Sequence, residues 1–271
     1  MELSGTQRTD FIETVWGYYY EHGRHNLPWR LPESDGSFDP YKILVSELML
    51  QQTQVSRVIP KYHAFLKAFP TAERLAGAQL AEVLRAWQGL GYNRRAKFLW
   101  QAAQAVVALP AFPKTVPELV KLPGVGANTA GAIAAYAFNE PVVFVETNIR
   151  TVYIHHFTPD GEIVSDDFIR DLLCQTIDVE HSREWYWALM DYGAWLKSQV
   201  RNISQSKHYT KQSTFQGSKR QVRGAIIRLL SAKAMTKSQL EMAVNDPRFP
   251  VVIEELLQEG LIQCARGQYR L

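Results

Sequence analysis

Three short stretches carry residue types at spacings that support chemistry. Glu47 sits in Ser46-Glu47-Leu48-Met49-Leu50-Gln51-Gln52-Thr53-Gln54, with Ile43, Leu44 and Leu50 around it at helical spacing. Burial raises the pKa of a carboxylate on an apolar stripe, and a carboxyl still protonated near neutrality is a general acid. The pattern equally fits a glutamate whose head reaches solvent or caps a neighbouring backbone group. Glu146 ends the apolar run Pro141–Val145 and opens Glu146-Thr147-Asn148-Ile149-Arg150. It offers a second carboxylate able to face a shared cleft, although a helix dipole also favours Glu at an N-terminus. The third stretch is Leu122-Pro123-Gly124-Val125-Gly126, followed by Thr129-Ala130. Two glycines after a proline let the backbone turn sharply, and N–H groups exposed at the following helix N-terminus suit a phosphate.

That last string is a helix–hairpin–helix signature, a clamp on a DNA backbone that ignores base sequence; the bland reading is a plain glycine turn between helices. Leu122, Gly124, Val125 and Gly126 are its expected contact residues. Gln51, Gln52 and Thr53 at one turn, and Leu90-Gly91-Tyr92 at another, are amide and aromatic groups suited to insertion between bases. Outside a DNA protein, Tyr92 would be ordinary packing. Trp29 and Arg30, after Leu27-Pro28, suit a base pocket by stacking and hydrogen bonding, or a core Trp beside a surface Arg. The seven histidines show no metal-ligand spacing.

The elements that must position these groups read as helices. Apolar residues recur at three- and four-residue spacing over Phe11–Tyr20, Tyr41–Leu66, Leu80–Trp87, Ala96–Val107, Ala127–Phe138, Phe168–Ile177 and Trp185–Leu196. Pro141–Val145 need not be a strand. The expected organisation is an all-α body over residues 1–200, a polar basic linker over 201–217, and a small unit over 218–271. In that unit Arg220–Leu230, Lys237–Val244 and Val251–Leu257 read as helices, and Leu261–Leu271 as a hairpin turning at Arg266-Gly267. Three short helices and a hairpin make a winged-helix-like pattern, which serves DNA or protein docking.

Composition narrows the function. Of 271 residues, 46% are apolar and 21% charged, which excludes wholesale disorder. Two cysteines exclude a disulfide scaffold. The longest apolar runs fall far short of a membrane span, and Met1–Arg8 lacks the order of a signal peptide. A soluble monomer without membrane contact is expected, cytoplasmic and nucleoid-associated if the source is bacterial. The net charge of +3 hides an uneven distribution: Arg201–Leu240 holds nine Lys/Arg and no acid, whereas residues 1–200 carry 18 basic and 22 acidic residues. A basic run of this length without acids points to a polyanion. Lys207, Lys211, Lys219, Arg220 and Arg223 are its expected phosphate contacts.

Leu-Pro-Trp-Arg, then Asp39-Pro-Tyr-Lys with Ser-Glu-Leu-Met-Leu-Gln-Gln-Thr-Gln-Val, then Gly89-Leu-Gly-Tyr, then Leu-Pro-Gly-Val-Gly resemble, in that order, the MutY-type adenine DNA glycosylases. These belong to the helix–hairpin–helix, endonuclease III-like superfamily. The resemblance covers roughly residues 10–200. It implies a two-lobed all-α fold with the target base flipped between the lobes, and excision of adenine opposite 8-oxoguanine or guanine in double-stranded DNA. It further implies Glu47 as the acid that protonates the departing adenine, and Gln52 and Tyr92 as inserted residues. Trp29, Arg30 and Asp191 fall at or near the base pocket, and Asn148 is an active-site asparagine.

Four departures accompany the likeness. The family's essential aspartate falls on Glu146, a carboxylate one methylene longer. Asn128 replaces the lysine of bifunctional relatives, which implies a monofunctional glycosylase and leaves base preference open. Lys197 stands where the first of four iron–sulfur cysteines would fall, so a cluster-less branch without a metal or other cofactor is expected, apart from a possible monovalent cation at hairpin carbonyls 122–125. The chain is also too short for the family's usual 8-oxoguanine-reading domain, so the winged-helix-like unit stands in its place, with a partner protein as its other use. Thymine or uracil excision opposite guanine is the competing activity, and a non-catalytic lesion-binding protein the competing class.

Overall fold

The computed structural model describes residues 1–200, 202–210 and 214–271. The chain divides into two compact units, each built from separate stretches: residues 1–43, 114–121 and 125–211 in one, and 44–113, 122–124 and 212–271 in the other.

The first unit contains α1 (Gly5–His22), and α2 (Pro40–Leu50) begins in it and runs into the second. The second unit continues with α3 (Val55–Ala68), α4 (Ala72–Ala76), α5 (Leu80–Ala86) and α6 (Arg94–Val107). Back in the first unit come α7 (Val116–Leu119), α8 (Ala127–Phe138), α9 (Thr147–Phe157), α10 (Asp166–Thr176) and α11 (Ser182–Gln199). Helix α11 is the spine of the first unit and packs on α1, α8 and α9. Trp185, Tyr186 and Tyr153 are fully buried there. Gly193 explains how closely α11 and α9 approach: a Cβ at that position would lie 2.3 Å from the Asn148 carbonyl oxygen. Gly131 on α8 admits the Phe144 ring in the same way. Phe144 in turn stacks on Tyr186 with ring centroids 4.1 Å apart.

In the second unit Phe65, Leu75, Leu84, Trp87 and Leu99 form the core between α3, α4, α5 and α6. The chain returns to this unit with α12 (Lys219–Ala232), β1 (Met235–Thr236), α13 (Lys237–Val244), α14 (Phe249–Gln258), β2 (Gln263–Ala265) and β3 (Gln268–Arg270). The three strands form an antiparallel sheet in the order β1-β3-β2, the arrangement of a winged helix. The hairpin turns at Arg266 and Gly267, both at positive φ, the geometry of a two-residue primed turn. This module rests on the other helices of its unit. α12 contacts α5, Arg85 Nε donates to the Ser231 carbonyl at 3.2 Å, and Lys97 donates to the Glu259 carbonyl.

The sequence pattern and the elements differ at three places. The apolar periodicity over Tyr41–Leu66 runs on across two helices, α2 and α3, which break at Gln51–Gln54, where Gln51 and Gln52 are expected near a turn. Gln52 there has φ 56°, which no helix interior tolerates. Helix α9 is absent from the periodicity because buried Ile149, Thr151, Val152, Tyr153 and Ile154 cover too much of its circumference for a single apolar face. The polar stretch after residue 200 reads as a tether, but residues 202–209 pack on the first unit. Gln205 and Ser206 are buried, and Gln205 Nε2 donates to the carbonyls of Pro159 at 3.0 Å and Glu162 at 3.1 Å. Val164 and Ser206 form a parallel bridge. No helix among the described residues is long and apolar enough to cross a membrane.

Candidate active site and DNA interface

In the first unit the irregular run 141–145 delivers Glu146 to the N-cap of α9. Asn128, in the first turn of α8, fixes the end of that run: its Nδ2 donates to the Val145 carbonyl at 2.8 Å. The structure thus gives this expected base-pocket residue a positioning contact directly beside Glu146. Burial pushes the Glu146 carboxyl above the ordinary range, against the opposing pull of Arg150 and of the Thr147 N–H. Arg150 itself is committed elsewhere, to Asp166, by two hydrogen bonds of 2.7 Å. Burial thus outweighs the neighbouring charge and N–H at Glu146, and disfavours its charged form relative to that of a solvated carboxyl. Asn148 lies on the same first turn, with Nδ2 3.3 Å from the Met190 carbonyl of α11.

Asp191, one residue further along α11, anchors a buried charge cluster. Arg30 pairs with it through two hydrogen bonds of 2.7 and 2.9 Å, and Arg24 adds its backbone N–H and Nε at 2.7 Å each. Burial alone would raise the Asp191 pKa; the hydrogen bonds and charges of Arg30 and Arg24 outweigh it, and the carboxyl sits below its usual value. The Arg30 guanidinium also lies 5.3 Å over the Trp187 ring, and neighbouring Trp29 is buried. The bland reading of a surface Arg at position 30 is thus corrected, because only 6% of the residue is exposed.

In the second unit Glu47 stands on α2 among the fully buried Leu44, Val45, Leu48 and Met49, and is itself half-buried. Its helix ends in a clamp that the sequence reading missed. The buried Arg95 guanidinium donates to the carbonyls of Leu48 at 2.7 Å and Met49 at 3.0 Å, and to that of Gln51. It also donates to Thr53 Oγ1 at 3.0 Å, and to the carbonyls of Leu90 at 3.3 Å and Gly91 at 3.2 Å. One cation thus closes the C-terminus of α2, where the helix dipole is negative, and ties it to both expected insertion turns. Burial lowers the Arg95 pKa to about 10, which leaves it charged at neutrality. The cation lies 5.5 Å from the centre of the Trp87 ring and 5.4 Å from that of Tyr92. A lone Arg on a helix carries no sequence signal for such a role.

Both turns are backbone-strained. Gln52 at φ 56° and Tyr92 at φ 48° occupy the left-handed region, at a cost of order 1–3 kcal/mol each. Leu90 is buried and Tyr92 is 37% exposed. Gly124, in the glycine hairpin, has φ 78°, and a Cβ there would strike Phe98 of α6 at 2.6 Å. Nothing stands within 4 Å of where a Cβ on Gly126 would lie, so the N-cap of α8 is open to an approaching ligand. Leu122 and Val125 are buried and anchor the turn.

The basic residues fall into distinct settings. Lys219 pairs with Glu255 at 2.6 Å, and Arg223 pairs with Glu259 and Glu255. Arg220 donates to the Tyr92 hydroxyl at 2.7 Å. Lys207 is exposed on the packed 202–209 segment, and Lys211 lies outside the described residues.

A family model described as HhH-GPD superfamily base excision DNA repair protein matches residues 45–172, which span Glu47, both insertion turns, the glycine hairpin and Glu146. Adenine DNA glycosylase of Mycolicibacterium smegmatis is 35% identical over 279 residues, covering 93% of each chain. Adenine DNA glycosylase of Buchnera aphidicola subsp. Baizongia pistaciae is 36% identical over 190 residues, and there the match spans 68% of this chain but about half, 52%, of the relative. The chain belongs to the adenine DNA glycosylase family of that superfamily. Among solved structures, a thermostable thymine-DNA glycosylase matches with TM-score 0.63 at 25% identity, over 70% of this chain and 87% of that one. A non-covalent endonuclease III–DNA complex matches with TM-score 0.60 at 17% identity, over 75% and 98%, a likeness of fold.

The residues present do not fit the iron–sulfur cluster that the sequence resemblance implies: the chain has two cysteines, and Cys174 on α10 and Cys264 on β2 are both exposed.

Proposed function

We propose that this protein is a monofunctional adenine DNA glycosylase, hydrolysing the N-glycosidic bond of an adenine mispaired with guanine or 8-oxoguanine in duplex DNA. The observation that carries the reading is the Arg95 clamp. It joins the helix of the acid Glu47 to both turns that would hold the duplex open, so acid and wedge are one rigid piece. An extruded base leaves a gap that Gln52 and Tyr92 are placed to fill.

Glu47 protonates a ring nitrogen of the base, which turns a poor leaving group into a neutral one. As the C–N bond breaks, positive charge grows on the sugar. Burial destabilises the charged form of Glu146, so as a carboxylate it would gain more from a neighbouring cation than a solvated carboxylate would. Water then completes the hydrolysis. Asn128 holds the backbone beside Glu146 and supplies no amine, so no Schiff base forms and no strand is cut by this enzyme. The open N-cap at Gly126, with exposed Lys207, suits backbone phosphates. The neutral carbonyl oxygens of the hairpin are a donor set for a monovalent cation that would stiffen the turn.

The test is a panel of duplexes carrying A:8-oxoG, A:G, T:G and U:G. Free adenine and an abasic, alkali-labile strand from the first two are expected, with no nick before alkali. Product from T:G or U:G alone would replace adenine by thymine or uracil as the substrate. No product from any duplex would leave a lesion-binding protein.

A further inference from the structure

We propose that Asp166 on α10 is a positioning residue for the excision reaction: it holds the Arg150 guanidinium away from Glu146 and so leaves the Glu146 carboxylate to the cationic sugar. The proposal deepens the glycosylase reading and rests on it. Glu146 and Arg150 stand one turn apart at the start of α9, where the Arg150 N–H donates to the Glu146 carbonyl at 2.9 Å. Side chains at this spacing are neighbours on a helix, so an acid four residues before a base can form an ion pair. Here Arg150 pairs with Asp166 instead: its Nε and Nη2 donate to the two Asp166 oxygens at 2.7 Å each. A fork on a carboxylate fixes the plane of the guanidinium, and both side chains are largely out of solvent, 14% and 9% exposed.

Asp166 is itself held in place. Ser165 caps α10, its Oγ accepting from the Phe168 N–H at 3.3 Å, so Asp166 opens the helix, where the dipole favours an anion. One residue earlier, Val164 bridges to Ser206, and His208 from the same packed segment brings Nε2 to 3.9 Å from the Asp166 carboxylate. Asn202, also in that segment, donates from Nδ2 to the Thr151 carbonyl of α9 at 3.0 Å. Residues 202–208 thus tie α9 to the start of α10, and with them the two halves of the Arg150–Asp166 pair. Burial would raise the Asp166 pKa; the hydrogen bonds and charge of Arg150, with smaller pulls from His208 and Arg170, outweigh it and keep the carboxyl below its usual value. Helix α11, also packed on α9, brings Asp191, which Arg30 and Arg24 hold. Among the described residues, the charge that acts on Glu146 is that of Arg150. Without the Asp166 carboxylate the fork is released to turn towards Glu146. A carboxylate already paired in the ground state has less to offer a cation that forms only as the C–N bond breaks.

The experiment is single-turnover adenine release from an A:8-oxoG duplex by the full chain, followed from acid to neutral pH. The proteins are wild type, Asp166→Asn, Asp166→Glu, and Asp166→Asn combined with Arg150→Met. Duplex affinity is measured alongside. The titration midpoint of the Glu146 carboxyl is read by carbon-13 NMR on glutamate-labelled protein, assigned with Glu146→Gln. Asp166→Asn is expected to lower the plateau rate about tenfold or more, with affinity unchanged. A cation gained by Glu146 favours its charged form, so the NMR midpoint and the acid limb of the rate profile both move to lower pH. Asp166→Glu keeps the charge and the wild-type midpoint. Removing Arg150 as well returns rate and midpoint towards wild type, which a merely structural role forbids, because two substitutions in a packed pair would then be no better than one. An unmoved midpoint in Asp166→Asn, or a double variant no faster than the single one, overturns the proposal. Asp166→Ser carries the same test should Asp166→Asn not fold; failure of both to fold makes Asp166 structural and overturns it too. A wild type inert on every adenine duplex overturns the glycosylase reading itself, whatever the midpoints do, and the positioning role with it.

Discussion

In the proposed mechanism Glu47 and Glu146 divide the chemistry. Glu146 carries the sharper physical consequence. Its pKa is raised in the folded chain by burial, so the native state binds its proton more tightly than the unfolded state does. For a carboxyl shifted in that direction, the folded state is relatively favoured at low pH and penalised once pH rises through the folded pKa. Replacing Glu146 with Gln removes the penalty. The variant is therefore expected to be more stable than wild type near pH 7, with an advantage that shrinks towards about pH 4. Thermal unfolding across that range checks the sign; a variant less stable near neutrality would show that Glu146 is compensated after all. Gain of stability with loss of activity is the expected trade at a residue kept for function. Asp191 has the opposite shift, lowered by Arg30 and Arg24, and its stabilising effect is present at neutral pH and lost in acid. The sequence motifs single out Glu47 and Glu146 as the candidate groups. They leave the direction of the Glu146 shift open, because that depends on burial and on Arg150, whose guanidinium is held by Asp166 sixteen residues away.

At the level of elements, the decisive feature is an interruption. A single helix over Tyr41–Leu66 would satisfy the apolar pattern, but the chain breaks it at Gln51–Gln54 and holds the break with Arg95 from α6. Helix periodicity reports which face is buried and not whether the backbone continues, so this break is invisible to it. The aromatic and amide residues at the break are legible; the cation that organises them is not, because its acceptors are backbone carbonyls that no side chain announces. Arg95→Lys is expected to keep the charge but lose the planar fork, leaving carbonyls of Leu48, Met49, Leu90 and Gly91 short of donors. A cost of about 1–3 kcal/mol follows from underpaired buried groups. Faster hydrogen exchange confined to residues 51–53 and 90–92, with slower excision, is the expected signature. Uniformly faster exchange across the second unit would mean that Arg95 only supports the core. The short winged-helix module was legible for the opposite reason: its helices, its Arg266-Gly267 turn and its basic face are all local signals.

For the whole chain, net charge and cysteine count say little until they are located. The basic excess after residue 200 is partly matched by Glu255 and Glu259, within the same module. The other basic residues of the stretch that the structure describes are spread over the 202–209 segment with Lys207, α12 with Arg220 and Arg228, and Lys233 and Lys237 after it. Within the stretch expected as a linker, the packing of residues 202–209 is not legible because it uses Gln205 and Ser206, polar residues that satisfy backbone groups and leave no apolar period. The central claim is that Glu47 and Glu146 perform glycosidic hydrolysis in a protein of this family. Its most direct measurement is the single-turnover rate of adenine release from an A:8-oxoG duplex by wild type, Glu47→Gln and Glu146→Gln, with duplex affinity measured alongside. The account predicts affinity close to wild type in both variants, with the rate of Glu47→Gln down by about 10²–10⁴-fold and that of Glu146→Gln down by at least about 10²-fold. Release at the wild-type rate by either variant, with affinity intact, would contradict it.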